Sequence, residues 1–253
     1  MAFRAALPQG HLLMSHSTDP VETDSSDGFI LPDAEKLESL AEFAAGAGHE
    51  INNPLATIIG RAQLLLKDET NPERRQMLMT IGAQAYRIRD MIGDTMLFGR
   101  PPRPDVRELD LQTTVENVVS KQVDELKVDR CSVKVEIRES IRLRADPAQF
   151  SVVLSELIRN SRQALQPDGG EILISSFVQA GSAIIEIHDH GRGFTDRERR
   201  HAFDPFFSGR QAGRGLGFGL PKCWRIIQQH GGTIKIRSTP SGPTIAHVTW
   251  PTA

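Results

Sequence analysis

From Leu37 onward, small or apolar residues return every three or four positions: Leu37, Ala41, Ala44, Gly48, Ile51, Leu55, Ile58, Ala62 and Leu65. Steps that alternate four and three mark a coiled-coil type of seam. They predict one helix from near Asp33 to Lys67, roughly 50 Å long at about 1.5 Å per residue. The run DETNPERR interrupts the pattern as a turn. Asn71 is placed to cap a second helix, with Pro72 at its first position, where a missing N–H costs least. That helix repeats the stripe through Met77, Ile81, Ile88, Met91 and Phe98, with polar Gln84 and Thr95 among them. Two helices and a short turn make an antiparallel hairpin. A hairpin with one apolar seam cannot bury it alone, and a homodimeric four-helix bundle would do so.

Past the hairpin, GRPPRPDVR places three prolines in a short span, which excludes helix and makes a stiff hinge. Beyond Glu108 the pattern mixes periods. Strands are predicted near 109–111, 131–137, 141–144, 171–178, 183–189, 232–238 and 244–250, and helices near 112–126, 147–165 and 219–230. Strands in one layer and helices in another give an α/β two-layer domain. The fold class is therefore α+β: a helical hairpin, then a two-layer α/β sandwich. The expected division is a flexible N-terminal arm at 1–33, the hairpin at 34–99, a Pro-rich linker at 100–108 and the second domain at 109–253. Residues 1–33 mix Ser, Thr, Asp, Pro and Gly without a sustained period, which is why they read as an arm.

Composition narrows the function classes. The 253 residues carry a formal net charge of −2, so there is no basic footprint for nucleic acid or an anionic membrane. No apolar run approaches the roughly 20 residues that cross a bilayer, and no signal-peptide pattern follows the start. Two cysteines, Cys131 and Cys223, are too few for a disulfide framework or a four-cysteine zinc site. The expectation is a cytoplasmic protein without membrane insertion, its sensing done by a separate input protein.

The second domain holds the candidate chemistry. The strand AIIEIHD runs into DHGRGF, so Asp189 sits at a strand exit, followed by Gly191 and Gly193. An ionised Asp only accepts hydrogen bonds, which suits the exocyclic amine of adenine, and glycines let the backbone approach a flat base. Alone, such a turn is more often structural. Further on, Gly209, Gly213, Gly215, Gly217 and Gly219 precede the helix of PKCWRIIQQH. Such a loop can wrap phosphates with backbone N–H groups, and the helix start adds oriented donors. The bland alternative is a flexible loop, but Leu216 and Phe218 alternate with the glycines. On QFSVVLSELIRNSRQAL, Glu156 and Asn160 are four apart and share a face. They are either a solvent edge or a site in which Asn160 offers a carbonyl oxygen to Mg²⁺, an ion that needs few protein ligands beside nucleotide phosphates.

In this order, Glu156/Asn160, DHGRGF, FDPFFSGR and GRGLGFGL resemble the N, G1, F and G2 boxes of the Bergerat ATP-binding fold, over roughly residues 109–250. That fold serves histidine kinases and gyrase-type ATPases. The resemblance implies ATP and Mg²⁺ as cofactors. It places Asn160, Asp189, Gly191, Gly193, Phe206, Arg210, Gly213, Gly215, Leu216, Gly217 and Gly219 in the nucleotide site, under a lid at 194–213. Arg210 stands where Lys is usual, and Glu156 resembles the hydrolytic position of gyrase-type ATPases.

On the first helix, GHEINNPLATIIG closely resembles the H box of sensor histidine kinases. The resemblance implies His49 as phosphoacceptor, Glu50 as its acid/base partner, and Asn53 as the amide that positions water against a partner's aspartyl phosphate. It implies a homodimer acting on the receiver domain of a response regulator. Neutral imidazole near pH 7 suits the nucleophilic role. Two rivals stay open: a Bergerat ATPase using Glu156 to drive conformational change, and a dimeric scaffold with a decayed pocket.

Overall fold

A computed structural model describes residues 28–137, 139–207, 209 and 217–253. In chain order its elements are β1 (Phe29–Ile30), α1 (Ala34–Asp68), α2 (Pro72–Gly99), β2 (Arg107–Asp110), α3 (Leu111–Ser120), α4 (Val123–Val128), β3 (Cys131–Ile137), β4 (Arg142–Ala145), α5 (Pro147–Ala164), β5 (Gly170–Gln179), β6 (Ser182–Asp189), α6 (Asp196–His201), α7 (Gly219–Gln229), β7 (Thr233–Ser238) and β8 (Thr244–Pro251).

The hairpin forms as its pattern requires. Asp33 caps α1 by accepting from the Lys36 N–H at 3.0 Å, and Asn71 caps α2 by accepting from the Arg74 N–H at 3.1 Å. Helix α1 continues through Pro54. Within one chain the seam is covered unevenly. Leu37, Ala41, Ala44, Leu55 and Ala62 are buried, whereas Ile51, Ile58, Leu65, Met77, Ile81 and Ile88 are exposed. At the linker end the helices close in: a side chain on Gly99 would strike the backbone of Ala41 and Ala45.

The second half is built on a six-stranded sheet in the order β1-β7-β8-β6-β5-β3, antiparallel except for the parallel pair β3–β5. A two-stranded β2–β4 ribbon stands beside it. Helices α3, α5 and α7 pack on one face, so this is the expected two-layer α/β arrangement. Strand alternation supplies the core. On β8, Thr244, Ala246, Val248 and Trp250 point inward, and on β6 Ala183, Ile185 and Ile187 do. Trp250 is fully buried, lies edge-on to Phe150 with centroids 4.8 Å apart, and donates its indole N–H to the Arg144 carbonyl at 3.1 Å.

Two features depart from the sequence reading. The predicted helix at 112–126 is two, α3 and α4, with a break at 121–122. The end of the expected arm is not loose: Phe29–Ile30 pair with Arg237 and Ile236 as the sheet's edge strand. Phe29 lies beneath Lys235 and Arg237, 5.1 and 5.4 Å from its ring centre. Two residues are too few to show period 2, so tertiary contact decides that segment.

Candidate nucleotide and phosphoacceptor site

Period 2 on β6 does more than fill the core. The residue after Ile185 and Ile187 on the same face is Asp189, so the strand aims a carboxylate into the interior toward α5. Asp189 is 2% exposed. Its Oδ1 accepts from the Gly191 N–H at 3.0 Å, and Ser161 of α5 donates a further hydrogen bond. Burial pushes its carboxyl above the ordinary range, because these two donors do not offset the lost hydration. Around it Leu157, Asn160, Ala164, Ile187, Phe194, Leu220, Ile236 and Thr244 enclose a recess of about 30 Å³. The glycines of the turn are sterically required. A Cβ on Gly191 would overlap the Ala164 carbonyl, and Gly193 has φ +64 with the Thr239 carbonyl against it.

The recess opens into a cleft of about 320 Å³. Asn160, Ala164, Phe194 and Leu220 line both. Arg159 and Arg192 bring positive charge to the cleft wall, Gly209, Gly217 and Gly219 keep it free of side chains, and α7 begins there at Gly219. On the cleft wall, Glu198 sits at the third position of α6 and closes a capping box with Thr195. Burial opposes its ionisation, but the Arg192 guanidinium and the Thr195 groups outweigh it and hold the carboxyl down to about 2. A side chain on Gly209 would overlap that carboxylate.

The hairpin forms the last wall of the cleft, through Asp94 of α2. On α1, Gly48 faces Ile92 and Met96, the residues that bracket Asp94. Asn52 donates to the Met96 sulfur at 3.2 Å. The α1 backbone at His49 therefore stands at the height of the cleft mouth. Phe98 is fully buried, 6.0 Å from the ring centre of Phe218 beside the cleft. Four ion pairs or edge contacts reinforce the seating: β1 on β7, Lys36 on Asp204 at 2.7 Å, Arg225 on Glu38 at 2.5 Å and Lys222 on Asp94 at 2.8 Å.

Comparison with known proteins fits both halves. Residues 145–253 match the family described as histidine kinase-, DNA gyrase B- and HSP90-like ATPase, and residues 39–103 match the His Kinase A (phospho-acceptor) domain. Sensory histidine kinase/phosphatase NtrB of Klebsiella oxytoca is 31% identical over 92% of this chain and 68% of its own length. The chain belongs to the sensor histidine kinase family. Sporulation kinase C of Bacillus subtilis is 27% identical over 87% of this chain and 50% of its own length, so the chain spans about half of that relative. Among solved structures, full-length ShkA in complex with AMPPNP aligns with a TM-score of 0.70 at 18% identity, covering 84% of this chain and 46% of ShkA. The catalytic domain of histidine kinase ThkA aligns with a TM-score of 0.52 at 21% identity, over 58% of this chain and 95% of that domain. These last two share the fold.

Within this sensor histidine kinase fold, the residues singled out from sequence do not all converge. Asn160, Asp189, Gly191, Gly193, Gly217 and Gly219 converge on the recess, its turn and the cleft. Glu50 and Asn53 are exposed on α1. Arg210, Gly213, Gly215, Leu216 and the side chain of His49 lie outside what the structure describes, as do residues 1–27 of the arm. Phe206 does not line the cleft: it is 65% exposed and stands edge-on to Phe218, while Phe207 lines the wall. Glu156 is buried and committed, with one oxygen to Lys222 at 2.8 Å and the other to the Arg159 guanidinium. Sequence reading missed Asp94, Arg192, Phe194, Glu198 and Lys222. Lys222 carried a signal: it stands between Leu220 and Cys223 on the buried face of α7. Asp94 and Arg192 carried none, since charges on exposed-looking positions are the rule. Among the described residues no helix is long and apolar enough to cross a membrane, and no acidic, His or Cys cluster could hold a metal unaided.

Proposed function

We propose that this chain is a homodimeric histidine autokinase core that transfers a phosphoryl group from ATP to His49 and then to an aspartate of a response-regulator receiver domain. The observation that carries it is the meeting of the two halves: the H-box helix and Asp94 stand at the mouth of a cleft whose inner end is a buried, hydrogen-bond-accepting carboxylate.

Asp189 accepts the exocyclic amine of adenine, which adds the hydrogen bond its ionised form lacks. A purine exceeds the recess of about 30 Å³ and extends from it into the adjoining cleft, which Phe194 and Leu220 also line. The polyphosphate then lies along the cleft beside Arg159, Arg192 and the start of α7, where backbone N–H groups and the helix dipole favour anions. Asn160 would hold Mg²⁺ through its amide oxygen, and the ion would supply charge neutralisation for the phosphates. One amide oxygen would fit that ion, which needs few protein ligands beside nucleotide phosphates. An imidazole nitrogen of His49 attacks the γ-phosphorus, the bond to the ADP oxygen breaks, and Glu50 takes the imidazole proton. Asn53, one helical turn after His49, positions water for the reverse task of removing phosphate from the partner's aspartate.

The exposed stripe Ile51, Ile58, Leu65, Met77, Ile81 and Ile88 supports the homodimer, because a second hairpin covers it. The ATPase alternative rested on Glu156 as a base. Both of its oxygens are held by cations, which opposes that use.

The test is incubation with γ-labelled ATP and Mg²⁺, alongside His49→Gln and Asn160→Ala. The expected product is acid-labile and base-stable on the wild type and absent from both variants. Steady phosphate release that survives His49→Gln without any labelled protein would replace this reading with the ATPase one.

A further inference from the structure

Lys222 is an unusual residue for its place. Its side chain is 7% exposed, three residues past the first residue of α7, and its ammonium bridges Glu156 and Asp94 at 2.8 Å each. Burial works against its charge, but Glu156 and Asp94 outweigh that and hold its pKa above the ordinary lysine range. Glu156 also takes the Arg159 guanidinium. Two cations and two carboxylates therefore make a neutral cluster, and one of the carboxylates, Asp94, belongs to the hairpin.

This cluster lies directly behind the cleft wall. Glu156 Oε2 is 3.2 Å from where a Cβ on Gly219 would stand, and Gly219, Arg159 and Asp94 all line the cleft. Removing Asp94 leaves Lys222 and Arg159 against Glu156 alone, a net positive charge facing the space where phosphates would lie. A polyphosphate brings negative charge to the same cations and is repelled by Asp94.

We propose that Asp94 and Lys222 form a nucleotide-sensitive latch, in which the Asp94 carboxylate occupies the charge-compensating role that the ATP phosphates take over. Seating the hairpin and binding nucleotide are then in competition. The proposal rests on the cleft being the nucleotide site. Because coupling is reciprocal, anything that loosens the hairpin's seating tightens nucleotide, and nucleotide loosens the seating. The other interdomain pairs belong to the same docked state. Arg225, one turn after Lys222 on α7, holds Glu38 of α1, and Lys36 holds Asp204.

The experiment is calorimetric titration of wild type, Asp94→Asn and Glu38→Gln with the Mg²⁺ complex of a non-hydrolysable ATP analogue, and with adenosine as a ligand without phosphates. Both substitutions keep shape and remove one hairpin charge, but only Asp94 faces the cleft. The expected result is tighter binding of the analogue by both variants, on the order of fivefold or more, with adenosine affinity unchanged. In wild type, adding the analogue is expected to speed amide hydrogen exchange at Leu37–Ala41 and Phe98–Gly99. Tightening by Asp94→Asn alone would reduce the effect to local repulsion and overturn the latch. So would equal tightening for adenosine, or no change in either variant. A wild type that binds no analogue at all would instead remove the nucleotide reading on which the latch stands.

Discussion

The sheet half covers its apolar residues with its own helices, whereas the hairpin covers only the end that touches the sheet half. Ile174, Ile185, Ile187, Val248 and Trp250 are closed under α5 and α7, while Ile51, Ile58, Leu65 and Met77 face outward. At the covered end, Leu37, Ala41, Ala44 and Phe98 join the core of the sheet half. Both halves follow the same rule, that an apolar face must find another. They differ in where the partner is. The sheet finds it within the chain, and most of the hairpin needs a second copy. The halves should therefore fail separately, and the cheapest way to break this comparison is to damage one and watch the other.

The largest effect is expected in the closed half. Trp250→Ala removes a fully buried indole and its hydrogen bond and should cost about 3–5 kcal/mol, a large share of typical domain stability. Urea denaturation followed by Trp-independent probes should show the sheet half melting early while the helical signal of the hairpin and the dimer persist. Simultaneous loss of the dimer would show that the halves are not independent. Next in size is Ile58→Glu, which puts a charge on the exposed seam. The dimer dissociation constant should rise by at least about 100-fold, from the cost of burying an unpaired polar group, with the sheet half's melting unchanged. Sedimentation equilibrium reads the first and calorimetry the second; an unaltered association would mean that the seam is not the dimer face.

A smaller effect separates function from stability inside the sheet half. The folded-state pKa of Asp189 is raised by burial, so its ionisation costs stability as pH rises past the unfolded value. Asp189→Asn removes that cost and should leave Tm equal or higher. It also loses a charge-assisted hydrogen bond to adenine, of about 1.5–3 kcal/mol, or roughly 10–100-fold in nucleotide affinity. A variant with lower Tm and normal affinity would reverse the assignment. The smallest effect concerns α6. Glu198 is depressed from 4.5 to about 2, so its stabilisation is complete above the ordinary carboxylate pKa and is lost as pH falls from about 4.5 to about 2. The amount is at most about 3 kcal/mol, and less because Arg192 is half-exposed and screened. Comparing wild type with Glu198→Gln at pH 7 and pH 3 should show the difference shrinking in acid.

Legibility followed the range of the interactions. The hairpin was readable because its period, its Asn71 cap and its Pro72 start are local. The strand exit at Asp189 and the tight turn at Gly191 and Gly193 were readable because strand period and glycine sterics act within a few residues; the recess they bound was not. Phe206 and Phe207 were not separable, since adjacent residues in an irregular turn carry no period to say which one faces the cleft. The break between α3 and α4 also escaped, because TVENVVSKQVDELKV reads as one helical stretch. Lys222 stood on the apolar face of α7, but its two partners, far off in sequence, were not readable.

By itself, then, the sequence determined the two halves, their element types, the place of Asp189 at a strand exit and the need of the hairpin seam for a partner. These rest on periodicity, caps and glycine sterics, which act over a few residues. Only the tertiary structure decided that Phe29–Ile30 joins the sheet, that Asp94 closes the cleft, and that Glu156 is neutralised by Lys222 and Arg159. Each of those is a meeting of residues distant along the chain or a choice among orientations that a helix or turn leaves open. Local propensity does not encode them; tertiary packing, within the sheet half and between the halves, does.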